Sequence, residues 1–309
     1  MRKVIGIGET TLDIIFQGEQ PTAAVPGGSV FNGIVSLARA GVSVVFISET
    51  GRDHVGDIIR QFMRDNGVPT DHIGLLAGGK SAVSLAFLNE NNEASYIFYR
   101  DYPRQRLDVD LPPVTEDDIV ILGSYYALNP VVRDKIVDLL ERARQAGAIV
   151  YYDPNFRSSH KEEAIKLAPT IIENLEYADI VRGSREDFRY MYGLDDADKV
   201  YHEKVRFYCP NFLYTSGAHG IELRTRTLNR AYPVQPIATV STVGAGDNFN
   251  AGVLFGLLQH DVRRNELYDL DASAWNSIVA TGMAFAEDVC CSLGNSISEA
   301  FAAKVNKKQ

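Results

Sequence analysis

Short apolar, β-branched runs recur along the chain with an amphipathic stretch between successive ones, and few architectures can bury such a pattern. Residues 4–7, 44–47, 119–122, 149–152, 179–181 and 212–214 read as buried strands, because their length and composition favour strands over helix fragments. Between them the apolar positions take helical spacing, as at Val30, Phe31, Ile34, Val35 and Leu37, or at Val131, Ile136, Leu139 and Leu140 ahead of Gly147. Strand and helix alternating in this way predict a Rossmann-like three-layer α/β/α domain with a mainly parallel sheet, spanning residues 1–309. A chain of 309 residues buries enough surface to hold a core without metal or disulfide staples. Its three cysteines, Cys209 and the adjacent Cys290 and Cys291, make no disulfide framework, and the pair sits in an apolar helical stretch where core thiols are expected.

Two segments interrupt the rhythm. Residues 81–88 alternate, meet the turn cluster Asn89-Glu90-Asn91-Asn92 and resume at residues 94–100, which predicts a β-hairpin; residues 11–16 supply a third strand of the same small sheet. Such an appendage serves as a lid or a subunit contact, with the lid placed at about residues 9–25 and 80–102.

Charge and hydropathy narrow the function. Lys and Arg number 31 against 40 Asp and Glu, a net charge of −9 that is the wrong sign for binding a nucleic-acid backbone. No apolar stretch approaches the ~18 residues of a membrane span, so a soluble cytoplasmic protein with no membrane partner is expected. The six histidines show no paired metal spacing.

Residues 239–252 carry the most chemistry. Gly244-Ala245-Gly246-Asp247 places a glycine-rich turn before an apolar-periodic helix with Phe249, Val253 and Leu257 on one stripe, so a helix start near Asp247 is expected. Small residues admit a ligand close to the backbone, and the unpaired amides of a helix N-terminus suit phosphate oxygens. Asp247 there is either an ordinary N-cap or an acceptor for the proton of an attacking hydroxyl.

These four residues resemble the C-terminal signature of the ribokinase-like (PfkB) carbohydrate kinases. Gly27-Gly28-Ser29-Val30-Phe31-Asn32 resembles that family's N-terminal sugar-binding signature, although on its own it reads as a glycine-rich loop with Ser29 as N-cap. Asp13 falls where the family holds sugar hydroxyls, whereas alone it reads as a solvated strand end. Residues 51–56, 153–157 and 215–220 keep the family's order and spacing, so the resemblance runs from Gly8 to about Gly252. It implies ATP-dependent transfer of the γ-phosphoryl group to a sugar hydroxyl, with Mg2+, Asp247 as base and the amides of Gly244, Ala245 and Gly246 as anion hole. It further implies ATP contacts from Thr215, Gly217, Gly220, Gly244, Gly246 and Ser184, sugar contacts from Asp13, Gly27, Gly28, Asn32, Arg100, Arg157 and Asp247, and a homodimer paired through the lid.

Two positions depart from the pattern. Ser241 stands where the family has an Asp associated with monovalent cations, so weak or absent K+ activation is expected. The family's Asn-x-x-Glu reads Gly183-Ser184-Arg185-Glu186, which leaves Glu186 to organise Mg2+ or its waters with help from Ser184, or to be merely a first-turn helix acid. Arg100 and Arg157 resemble the fructokinase and 2-keto-3-deoxygluconate kinase branches, and a guanidinium suits either a carboxylate or several hydroxyls. Fructose is therefore the expected acceptor and the sugar acid the alternative. A sugar- or nucleotide-sensing protein with weak catalysis is the reading of another class.

Two other phosphate motifs fail on context. Residues 74–81 satisfy the P-loop string, but from Ser81 onward the chain alternates like a strand instead of starting a helix. Residues 6–11 resemble part of a dinucleotide fingerprint, but the sixth position is Thr11 and another strand comes next.

Overall fold

The structure is a computed structural model that describes residues 2–90, 94–101 and 107–306. Asn91 and Asn92 of the expected hairpin turn, and residue 102 at the expected end of the lid, lie outside the described residues. The chain divides into two compact units, Met1–Pro112 with Ile237–His260 and Ser277–Gln309, and Pro113–Pro236 with Asp261–Asn276.

The first unit opens with Lys3–Ile7 (β1), Thr11–Gln17 (β2), Gln20–Gly27 (β3), Ser29–Arg39 (α1), Ser43–Gly51 (β4), His54–Asp65 (α2), Ile73–Leu76 (β5), Lys80–Leu88 (β6) and Ala94–Asp101 (β7). The second contains Ile119–Gly123 (β8), Arg133–Ala146 (α3), Ile149–Asp153 (β9), Ala164–Tyr177 (α4), Ile180–Ser184 (β10), Arg185–Tyr192 (α5), Ala197–Val200 (α6), Asn211–Thr215 (β11), Ile221–Arg224 (β12) and Asn229–Tyr232 (β13). Ala245–Gln259 (α7), Ala272–Cys290 (α8) and Glu299–Asn306 (α9) complete the chain.

In the first unit β4 pairs in parallel with β1 and with β5. Buried Val4, Ile5, Ile7, Phe46 and Ile47 give these strands the continuous apolar character of a covered parallel sheet, and α1 buries Val30, Phe31, Ile34 and Val35. A separate four-stranded sheet has the order β3-β2-β6-β7, antiparallel except where β2 runs parallel to β6. The strand β3 was not legible as one: Pro21 and Pro26 interrupt its alternation, and prolines are tolerated there because β3 is an edge strand. Lys80 begins β6 after a turn at Gly78, so the P-loop string is extended chain and not a helix start.

In the second unit β8, β9, β10 and β11 are parallel neighbours, and β12 and β13 add antiparallel strands beside β11. The helix α3 ends on Gly147 in the left-handed conformation, but it begins at Arg133; Val131 precedes it and is exposed. Cys291 likewise differs from the expected core thiol, lying exposed just past the end of α8, while Cys209 is buried. No helix among the described residues is long and apolar enough to cross a membrane.

Candidate active site

Two helix N-termini in the first unit assemble the acidic centre. Gly244 caps α7 with φ +77°, and a Cβ there would lie 2.8 Å from the carbonyl oxygen of Asn295, so the turn admits only glycine. The helix therefore starts at Ala245, two residues before the expected point, and Asp247 belongs to its first turn and is not its N-cap. Its carboxylate is turned instead toward α1, where it accepts hydrogen bonds from Ser29 Oγ at 3.1 Å and from Asn32 Nδ2 at 2.8 Å. Ser29 is correspondingly no N-cap: Gly28 holds that position, and the Ser29 hydroxyl serves Asp247. Asn32 is buried, and its Oδ1 has no hydrogen-bond partner among the described residues. A buried acceptor of this kind is costly unless a ligand supplies the donor.

Asp13 sits in the middle of β2 with only 5% of its surface exposed, which removes the reading of a solvated strand end. Thr11 Oγ1 and Ser84 Oγ both donate to its Oδ1 at 2.6 Å, and Asn295 Nδ2 donates to its Oδ2 at 3.1 Å. Burial raises its pKa above the usual carboxylate value; the three donors oppose that shift without cancelling it, and the charge of Glu9 adds to it. The close approach of the Gly27 backbone explains the glycine there: a Cβ would fall 2.2 Å from Asp13 Oδ2. Asp13, Gly27, Gly28, Asn32, Gly244, Ala245, Gly246 and Asp247 thus share one unit, linked through Asn295. Arg100 belongs to the same unit but lies near the end of β7, exposed, with its guanidinium 4.6 Å from the Phe98 ring centroid.

In the second unit the expected nucleotide residues collect at the carboxyl ends of β10 and β11. The residues Thr215 to Gly220 form the turn between β11 and β12, with Gly217 and Gly220 at positive φ. A charged network underlies this turn. Arg182 Nη1 donates to Asp153 Oδ2 at 2.9 Å and Arg182 Nη2 to Thr215 Oγ1 at 2.7 Å. Burial acts to lower the pKa of Arg182, but Asp153 and Asp187 outweigh it and hold the guanidinium charged. Asp187 is pushed up by burial and then by the neighbouring Asp153 charge.

Glu186 lies exposed in the first turn of α5, whereas the next residue, Asp187, is buried and forms a capping box with Ser184. The Ser184 hydroxyl accepts from Asp187 N at 3.2 Å, and Ser184 N donates to Asp187 Oδ2 at 2.5 Å. Arg157 is an exposed residue opening the short 3-10 turn Ser158–Glu163 after β9.

Sequence reasoning missed Asn295, Ser84, Arg182 and Asp187. Arg182 carried a signal, a lone cation inside an otherwise apolar strand. Asn295 carried none, standing 282 positions from the aspartate that it orients.

The donor set also bears on cofactors. Among the described residues no group of three or more His, Cys, Asp or Glu side chains could hold a metal. Mg2+ keeps waters and phosphate oxygens and needs only one or two protein carboxylates, so a closed cage of this kind is not required to hold it. Ser241 is buried, and its Oγ accepts from Val243 N at 3.1 Å.

Residues 1–292 match the family described as pfkB family carbohydrate kinase. The chain is 28% identical to a fructokinase of Klebsiella pneumoniae over 269 residues, covering 85% of this chain and 87% of that one. An aminoimidazole riboside kinase from Salmonella enterica, solved with aminoimidazole riboside and an ATP analogue, superposes with a TM-score of 0.82 at 26% identity over 99% of each chain. A fructokinase from Vibrio cholerae O395, in a fructose-, ADP- and calcium-bound form, shares the fold with a TM-score of 0.85 at 21% identity over 98% of each chain.

Proposed function

Because the chain belongs to the pfkB family of carbohydrate kinases, phosphotransferases acting on a sugar alcohol group, we propose that it transfers the γ-phosphoryl group of ATP to a hydroxyl of fructose. The observation that carries the reading is Asp247, held by Ser29 and Asn32 in the first turn of a helix that opens on a left-handed glycine. Asp247 takes the proton of the acceptor hydroxyl. The acceptor oxygen forms its bond to the γ-phosphorus as the bond from that phosphorus to the β-phosphate bridging oxygen breaks, and ADP leaves with the electron pair. Ala245 N turns back onto Thr242 O at 3.2 Å, so the anion-hole role rests chiefly on the amides of Gly244 and Gly246 at the positive end of α7.

Asp13, Asn32 Oδ1 and Asp247 are all acceptors within one unit, a set that suits a neutral polyol supplying hydroxyl donors and favours fructose over a sugar acid. The nucleotide is assigned to Thr215, Gly217, Gly220, Gly244 and Gly246, with Ser184 and Glu186 on the side of the metal. Mg2+, brought with the triphosphate, supplies charge neutralisation on the phosphate oxygens. Arg100 and Arg157 complete the acceptor set. The single domain is proposed to act in the cytoplasm as a homodimer, with the exposed Ile97, Phe98 and Tyr99 of β7 in the subunit contact.

The test is ADP release from Mg·ATP with fructose, 2-keto-3-deoxygluconate, ribose, tagatose, fructose 6-phosphate and aminoimidazole riboside. Fructose is expected to stand out, and Asp247→Asn to lower kcat by about 10²–10⁴-fold while both substrates still bind. Preference for 2-keto-3-deoxygluconate would transfer the acceptor to the sugar acid. Binding of sugar and ATP without ADP release would replace catalysis by sensing. Because the uncharged Ser241 is buried and engaged with Val243, exchanging Na+ for K+ at constant ionic strength is expected to change the rate little; a strong rise with K+ would refute this.

A further inference from the structure

The loop between α8 and α9 contributes a residue that touches both halves of the acidic centre. Asn295 is 2% exposed. Its side-chain amide donates to Asp13 Oδ2 at 3.1 Å and lies 3.0 Å from where a Cβ of Gly27 would stand. Its main-chain carbonyl accepts from Asn248 Nδ2 at 2.8 Å, and the same Nδ2 group donates to Gly244 O at 2.8 Å. Asn248 is fixed from its other end by the hydroxyl of Ser36, which also accepts from Ile297 N at 3.0 Å. The chain of hydrogen bonds therefore runs from Asp13 through Asn295 and Asn248 to the turn that opens α7.

We propose that Asn295 is a positioning residue, which sets the orientation of the Asp13 carboxylate with its side chain while its main chain braces the Gly244 turn. The proposal rests on the kinase reading and assigns to acceptor binding a residue outside the motifs that carry it. Asp13 receives two strong hydroxyl donors on Oδ1, whereas the Asn295 amide is the side-chain donor that fixes Oδ2. Removing that donor frees Oδ2 to rotate or to hold a proton, because burial already favours the neutral acid. The main-chain brace survives any side-chain replacement, so substitution separates the two functions of the residue. The charged group facing Asp13 besides its three donors is Glu9.

The experiment uses the full chain in the ADP-release assay with three variants. Asn295→Ala is expected to raise KM for the acceptor about tenfold or more, with KM for ATP unchanged, because a small misplacement of a positioning group costs up to about 10²-fold. Asn295→Asp keeps the shape and sets a second carboxylate against Asp13; the acid limb of kcat/KM for the acceptor is expected to move to higher pH. Asn295→Gln retains the donor and should recover part of the acceptor affinity. A merely structural residue would lower thermal stability and affect both KM values alike, without moving the pH profile. Wild-type turnover with all three variants unchanged, or with both KM values shifted together and the pH profile fixed, overturns the proposal alone. Failure of the wild type to phosphorylate any acceptor in the panel overturns the kinase reading and this inference with it.

Discussion

The acidic centre depends on atoms that are absent as much as on those present. Gly27 approaches Asp13 so closely that Gly27→Ala would drive a methyl to 2.2 Å from Oδ2. We expect this substitution to raise KM for the acceptor by about 10-fold or more while leaving ATP affinity intact, measured as initial rates at varied acceptor. Asp13 itself sets a pH dependence. Its pKa lies above the ordinary 3.8 because burial outweighs its donors, so it gains a proton at milder acidity than an exposed aspartate. The rate constant kcat/KM for the acceptor should fall as pH drops through that raised value, and an acid limb at or below 3.8 would contradict the assignment. The linked stability runs the other way. A carboxyl with a raised folded pKa contributes stability that is full below 3.8 and lost as pH rises through the folded value. Burial thus works against the charged form of Asp13, a cost expected where a carboxyl group is kept inside for a ligand.

At the scale of elements, the strand ends of the second unit are joined by Arg182. The cation sits on β10 between Asp153 of β9 and Thr215 of β11, with Asp187 of α5 nearby. Arg182→Leu would remove the cation paired with the buried Asp153 carboxylate, and we expect a loss of about 3–5 kcal/mol in denaturant unfolding. Arg182→Lys keeps the charge but cannot span two acceptors with a planar fork. It should retain much of the stability while raising KM for ATP, if the turn that Thr215 opens holds the nucleotide as proposed.

What the sequence disclosed divides along the same line. The strands β1, β2, β4 and β6 to β11 and the helices α1, α3 and α7 were legible because each is a local periodic pattern, whereas the proline-interrupted β3 was not, and the glycine turns were legible because backbone geometry is written in single residues. The pairing of Asp13 with Asn295, or of Asp247 with Ser29, was not, because nothing local distinguishes an asparagine that orients a carboxylate from one that closes a loop. The start of α7 was misplaced for a related reason. Asp is a common cap, and only the left-handed geometry of Gly244 reveals that the glycine already fills that role.

At the scale of the whole molecule, a net charge of −9 opposes close self-association through general electrostatics, so any subunit contact needs an apolar surface of its own. The small sheet offers one. Its order β3-β2-β6-β7 leaves β7 at an edge, and Ile97 and Tyr99 are 50% and 58% exposed there, with Phe98 also in contact with solvent. An exposed apolar edge strand invites pairing and is ordinarily blunted by charge or covered by a partner. A second copy of this strand would cover it, so the intact chain should sediment as a homodimer. Tyr99→Lys combined with Ile97→Asp should shift the mass measured by light scattering toward the monomer. Arg100 adjoins this face, and its guanidinium stacks over Phe98. If Arg100 reaches the acceptor as proposed, the monomeric variant should also lose acceptor affinity while retaining ATP binding. A variant that remains dimeric would place the subunit contact elsewhere, and a monomer with unchanged acceptor KM would separate assembly from catalysis.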